Sequence, residues 1–394
     1  MSNKRILIFS TAYYPFVGGA EVAIKEITDR TSGIDFHMLT ARMDRTLSKK
    51  EKIGNILVHR IGFGIPKIDK LCLAFFGFFY AQRLQKQNKY SVVWAMMASY
   101  GGFAASKFKF LNPEINFLLT LQEGDSLDYI AKRTYFVKKQ FKDIFIRADK
   151  IQCISTYLAE WAKMMGARCS IEVIPNGVDI KNFSQEYSEK ELSDLKLKFN
   201  KTLEDKFLIH TGRLTYKNAV DDLIQALIYL PESIKILLVG KGEDEEKLRA
   251  IVQEKGLKNR VYFLGFIDHK EIPQYLRISD IFVRASLSEG LGNSFLEAML
   301  TSLPVIATQE GGIVDFLFDE KRNPNKEVTG WAVDSRSPEQ IAEAVKCILS
   351  NSEKAKKVTD TAKKMVLEKY NWDILAKEMQ EKVFNKLFGS RASK

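Results

Sequence analysis

Ligand-forming residues are scarce in this chain, with only four cysteines and four histidines among 394 residues. Cys72, Cys153, Cys169 and Cys347 are scattered and show no C-x-x-C spacing, which argues against a zinc site or a disulfide framework and fits a reduced compartment. The histidines show no metal-ligand spacing either. Long apolar runs are missing too: the longest, Leu71 to Ala81 (LCLAFFGFFYA), falls well short of the roughly 20 residues that cross a bilayer. The opening stretch MSNKRILIFSTAYY has too short an apolar core for a signal peptide and is broken by Ser10 and Thr11, so it reads as a first β-strand. The expected location is the cytoplasm, free or peripheral on the cytoplasmic face of a membrane.

What is present is an ordinary soluble composition, 45% hydrophobic and 28% charged, in a chain long enough for two domains. Charge is distributed unevenly. Residues 1–175 hold 26 Lys+Arg against 15 Asp+Glu, whereas the rest of the chain balances 34 against 34. The excess of +11 in the N-terminal part points it toward an anionic partner: nucleic acid, an anionic membrane or a phosphate-bearing acceptor.

Short β-branched runs alternate with longer helical patterns. RILIFS (5–10), FHMLT (36–40), ILVHRI (56–61), SVVWAM (91–96), NFLLTL (116–121) and KIQCIS (150–155) read as strands of a parallel α/β layer. A turn-rich phrase and a charged segment follow, and then a second series runs through FLIHTG (207–212), IKILLVG (234–240), RVYFLGF (260–266), DIFVRAS (280–286), PVIAT (304–308) and GWAVD (330–334). The expectation is an α/β fold of two doubly wound domains, 1–183 and 206–368, joined by a charged linker at 184–205 and closed by a helical segment at 369–394. Ligands of such sheets bind beyond the carboxyl ends of the strands.

Three segments carry the chemistry. After DIFVRAS comes a Gly-containing turn, Glu289-Gly290-Leu291-Gly292, then Asn293-Ser294 and a helix holding Glu297. The glycines allow close backbone approach, a helix N-terminus favours phosphate, and an ionised carboxylate accepts two hydrogen bonds from sugar or ribose hydroxyls. In HTGRLTYKNAV, Arg213 and Lys217 follow a strand end four residues apart, as suits the neutralisation of a diphosphate. In YYPFVGGAEVAIKEIT, Gly18-Gly19 precede a helix, without the spacing or acidic residue of a dinucleotide fingerprint.

Taken in order, GGAE (18–21), IPNGVD (174–179), GR-x3-K (213–217), the Glu289-x7-Glu297 pair with its EAM, GGIVD (311–315) and YNWDILA (370–376) resemble the retaining glycosyltransferases of family 4. That resemblance implies the GT-B architecture: two Rossmann-like doubly wound domains facing a central cleft, acceptor mainly on the first, nucleotide on the second, and a last helix returning to the first. It implies transfer of a sugar from a nucleotide diphosphate donor to a glycan or lipid-linked acceptor, with no metal and no other cofactor. Arg213 and Lys217 would hold the diphosphate, with Gly19 approaching it from the other domain. Glu297 would bind the ribose, and Glu289 with the Gly290, Leu291, Gly292 and Asn293 backbone the donor sugar. Gly265 and Phe266 would lie beside the base. Catalytic roles fall to Glu289, Arg213 and Lys217.

One position departs from the family. Gln122 stands where many members have a histidine, so Gln122, Glu123, Asp125 and Gly18 are the candidates for sugar or acceptor contacts. Two stretches have the composition of a membrane surface: residues 131–150, basic and aromatic, where a surface helix and an ordinary packed helix stand level, and Leu71–Tyr80, where packing of the aromatic face on the sheet is the expectation. A nucleotide-sugar epimerase would require more acid/base groups than four histidines offer. A non-catalytic nucleotide-sugar-binding protein would not require Glu289, Glu297, Arg213 and Lys217 all in place. No base-stacking or groove-reading module supports nucleic acid as a partner.

Overall fold

Buried β-branched and aromatic strands build two parallel sheets. The computed structural model describes residues 4–389, which form two units: one runs to Gly177 and resumes at Trp372, and the other is Val178–Asn371.

The first unit comprises β1 (Lys4–Ser10), α1 (Gly19–Arg30), β2 (Ile34–Ala41), β3 (Lys50–Ile53), β4 (Ile56–Ile61), α2 (Pro66–Asn88), β5 (Val92–Met96), α3 (Tyr100–Leu111), β6 (Asn116–Leu121), α4 (Leu127–Arg133), α5 (Lys138–Ile146), β7 (Lys150–Cys153) and β8 (Ser170–Val173), with a further helix at Thr156–Met164. Its sheet order is β3-β4-β2-β1-β5-β6-β7-β8, parallel except for the β3–β4 hairpin. The second unit carries β9 (Lys206–Thr211), β10 (Ile234–Val239), β11 (Val261–Gly265), β12 (Ile281–Arg284), β13 (Val305–Thr308) and β14 (Trp331–Val333), all parallel in the order β11-β10-β9-β12-β13-β14. This is the doubly wound Rossmann order, whose connections reverse between β9 and β12 and, in the first unit, between β1 and β5. The helical segment after Trp372 lays Trp372, Leu375, Met379, Val383 and Leu387 into the first unit's core, beside Trp94 and Phe36.

Three sequence-based expectations need correction. Residues 184–205 are no linker, and the first unit does not extend to 183. The short helix Ile180–Phe183 and the helix Glu189–Leu197 belong to the second unit. The reason is apolar anchoring: Phe183 is fully buried, Phe199 stacks on Phe207 and Tyr262, and Lys201 pairs with Asp280 at 2.7 Å. The chain returns to the first unit at Trp372, not at 369. The second correction concerns α2, which turns its aromatic residues away from the sheet. Its buried positions are Asp69, Leu73, Gly77 and Ala81, a strict i, i+4 row with no aromatic residue. Gly77 lies so close to α3 that an added Cβ would stand 3.0 Å from the Ala104 Cβ. Residues 131–150 are not one helix but α4, a tight turn at Tyr135–Val137 and α5, whose Phe141, Ile144 and Phe145 are buried.

Candidate functional site

In the second unit, the loops leaving the strand ends are bonded to one another through backbone. Gly212 N–H donates to the Val239 carbonyl (2.9 Å), Leu214 to Lys241 (3.1 Å), Asp244 to Leu214 (3.0 Å), Leu287 to Lys217 (2.7 Å) and Gly312 to Glu289 (2.9 Å). Glycine makes such approaches possible. A Cβ on Gly242 would stand 2.0 Å from the Leu214 carbonyl oxygen, and one on Gly311 (φ +62°) 2.0 Å from that of Glu289.

Arg213 sits exposed in the loop after β9, and among the described residues its guanidinium has no hydrogen bond or ion pair. Lys217 is half-buried in the following turn. Asn218 ties this loop to the next: its Nδ2 donates to the Arg213 carbonyl (2.5 Å), and its Oδ1 accepts from Arg284 Nη2 (3.0 Å). Arg284, at the end of β12, is the hub. The same Nη2 donates to Glu289 Oε2 at 2.6 Å, Nη1 to Ser294 Oγ at 2.8 Å and Nε to Ser286 Oγ at 3.0 Å. A nearly buried guanidinium thus orients the Glu289 carboxylate and clamps the first turn of the helix Asn293–Leu300. Gly290 and Leu291 are buried, and Gly292 (φ +93°) caps that helix, where a Cβ would strike the Phe295 ring at 2.5 Å. His210 lies fully buried beneath; burial and the neighbouring Arg284 charge push its pKa down to about 3, so the ring is neutral.

Glu297 is buried on the same helix, and its Oε1 meets His269 Nε2 at 2.8 Å. That bond, working against burial, raises the His269 pKa, and the ring also packs on Phe183 at 5.1 Å. Among the described residues Glu297 Oε2 has no hydrogen-bond partner. Gly265 (φ +69°) ends β11, and Phe266 beside it is exposed.

The first unit's candidates occupy its own strand ends. Gly18 precedes α1, and its N–H donates to Glu21 Oε2 at 2.8 Å; Gly19 opens the helix. Gln122 is engaged with Asn176 by a reciprocal amide pair (3.1 and 3.0 Å). Glu123 is turned inward, accepting from the Ala98 N–H (2.6 Å) and the Gln122 N–H (2.9 Å), and burial pushes its pKa up to about 7. It holds the loop after β5, where Met97 adopts φ +67°. Asp125 is half-buried.

Sequence reasoning passed over Arg284, Asn218, His210, His269 and Asn176. Arg284 had a signal, the one charge inside the apolar strand run IFVRA. His269 and Asn218 had none, because only folding brings them to Glu297 and Arg284.

Family models match both parts of the chain: Glycosyltransferase Family 4 over residues 17–182 and Glycosyl transferases group 1 over residues 193–365. The chain belongs to this family. It is 30% identical to the glycosyltransferase MJ1607 of Methanocaldococcus jannaschii, over 53% of this chain and 52% of that protein, so that match spans about half of the relative. To the alpha-monoglucosyldiacylglycerol synthase of Acholeplasma laidlawii it is 25% identical, over 86% of this chain and 89% of that one. Among solved structures, sucrose-phosphate synthase from Thermosynechococcus elongatus is similar with a TM-score of 0.83 at 20% identity, covering 98% of this chain and 100% of that one. Anabaena HepE, solved in complex with UDP-glucose, is similar with a TM-score of 0.77 at 19% identity, covering 96% and 99%. The fold of this glycosyltransferase is therefore GT-B.

Proposed function

We propose that this glycosyltransferase moves a sugar from a nucleotide diphosphate donor to a lipid-linked or glycan acceptor, retaining the anomeric configuration and using no bound metal ion. The observation that carries the reading is the bonded loop assembly at the switch point of the second unit, where Arg213 and Lys217 share one hydrogen-bonded frame with the Arg284-held Glu289.

In this reading Arg213 and Lys217 bind the diphosphate and neutralise the charge that grows on it as the glycosidic bond breaks. The helix Asn293–Leu300 adds backbone N–H groups and the positive end of its dipole. Glu289, oriented by Arg284, accepts from donor-sugar hydroxyls, and the Gly290–Asn293 backbone lies beside it. Glu297 offers Oε2 to the ribose while Oε1 stays on His269. Gly265 and Phe266 flank the base. In the first unit Gly18, Gly19 and Asp125 keep their proposed ligand roles, whereas Gln122 and Glu123 shape the loop around them. In this reading the built-in cations supply the charge a divalent ion would bring.

A lipid acceptor is supported by the alpha-monoglucosyldiacylglycerol synthase relative and by the basic first unit, and in this reading the enzyme works at the cytoplasmic face of an anionic membrane. Turnover of a panel of nucleotide sugars, read as nucleoside diphosphate release with the product anomer assigned by NMR, tests the reading. An α-linked product from an α-linked donor, formed at an unchanged rate in EDTA, is expected. An inverted product would overturn retention, and loss in EDTA restored by manganese would overturn metal independence.

A further inference from the structure

Helix α2 is turned inside out relative to an ordinary surface helix. Its inward row is Asp69, Leu73, Gly77 and Ala81, while Leu71, Phe75, Phe76, Phe79 and Tyr80 point outward, each 50 to 65% exposed. A monomeric protein rarely leaves such a contiguous patch uncovered, because bulky apolar side chains are normally what a helix buries. Spacings of three and four residues align these side chains along about 14 Å of helix, at 1.5 Å per residue. The patch continues onto the end of α3, where Phe110 is 59% exposed beneath the Lys107 and Arg147 cations.

Charge decides the occupant. The helix carries Lys67 and Lys70 before the aromatic stretch and Arg83 and Lys86 after it. Its single acidic residue, Asp69, is fully buried and spent on the backbone N–H groups of Met43, Phe63, Gly64 and Ile65. No helix is long and apolar enough to cross a membrane among the described residues, so the patch suits lying on a bilayer and not spanning it.

We infer that α2 docks flat on an anionic lipid bilayer, its aromatic rings inserted at the headgroup boundary and its terminal cations on lipid phosphates. The inference deepens the lipid-acceptor reading above and rests on it, since docking would bring the enzyme to an acceptor held in the membrane. It also moves the contact from the lysine-rich α5, whose apolar face is internal, to α2.

Sedimentation of the full chain with phosphatidylglycerol-containing and with pure phosphatidylcholine vesicles provides the test. The wild type should bind the anionic vesicles, and more weakly as salt rises. Each ring withdrawn from the interface should cost about tenfold in partitioning, so F75S/F76S/F79S should bind about a thousandfold more weakly. K67Q/K70Q/R83Q/K86Q should lose the preference for anionic over neutral vesicles, whereas K138Q/K139Q/K142Q on α5 should lose less. Should the aromatic variant misfold, the charge variant alone decides. Wild-type binding at background, a loss larger for the α5 variant than for the α2 variants, or a dimer broken by F75S/F76S/F79S without vesicle binding would each overturn the inference. Nucleoside diphosphate affinity, measured separately, shows whether a failure here leaves the transferase reading standing.

Discussion

The two units share a strand order but fasten their strand-end loops with opposite charges. In the first, carboxylates accept from backbone N–H groups: the buried Asp69 gathers four, the buried Glu123 takes those of Ala98 and Gln122, and the half-buried Glu21 that of Gly18. In the second, a buried guanidinium, Arg284, draws Glu289, Asn218, Ser286 and Ser294 together, and glycines bring backbone against backbone. Total charge runs the other way. The first unit holds 31 Lys+Arg against 18 Asp+Glu, and the second 29 against 31. Positive charge thus exceeds negative in the first unit, whereas the second is near balance and places Arg213, Lys217 and Arg284 on neighbouring loops at one end of its sheet. A diffuse field suits an extended anionic surface, whereas a localised one suits a diphosphate.

If the first unit depends on inward carboxylates, Asp69 is where it breaks most easily. Asp69→Ala strands four backbone donors that join the loops at Met43 and at Phe63–Ile65, and the expected loss is about 3–5 kcal/mol, measured by urea unfolding. Burial opposes ionisation of Asp69, but those donors outweigh it and hold its pKa below the usual carboxylate range. Its contribution is therefore present above the unfolded-state pKa and lost as pH falls. A destabilisation under 1 kcal/mol would show that the carboxylate is not the fastener.

Glu123 sharpens the comparison because its sign is reversed. Its folded pKa is raised by burial to about 7, so between about 4.5 and 7 the folded state binds more protons than the unfolded one. Stability from this group should fall as pH rises through that window, by up to about 3 kcal/mol. Glu123→Gln should remove that slope, whatever its effect at low pH. An identical pH dependence in the variant would mean that Glu123 is ionised throughout.

The strands were legible in the amino-acid pattern because parallel, doubly covered strands are near-continuous apolar runs: every strand of the second series and most of the first lie within two residues of expectation. The hairpin strand β3, KEKI, was not, since its exposed charges carry no apolar signal. The outward face of α2 was equally hidden, because composition shows which residues are bulky and not which way a helix is rolled. Gly77 held the clue, as a glycine within the aromatic run allows close packing on α3. Arg213, Lys217, Glu289 and Glu297 could be read from motif spacing, whereas His269 lies 28 residues from Glu297 and meets it only through the fold.

The claim that the second unit is a nucleotide diphosphate site is tested most directly by titrating UDP, GDP and ADP against the wild type and against Arg213→Ala and Lys217→Ala. The account predicts that at least one nucleotide binds the wild type, at 100 times its Kd stabilising it by about 2.7 kcal/mol. Each variant should bind that nucleotide about tenfold to a hundredfold more weakly, the cost of one charge-assisted contact, while keeping its unliganded melting temperature. Equal affinity in wild type and both variants would contradict the account.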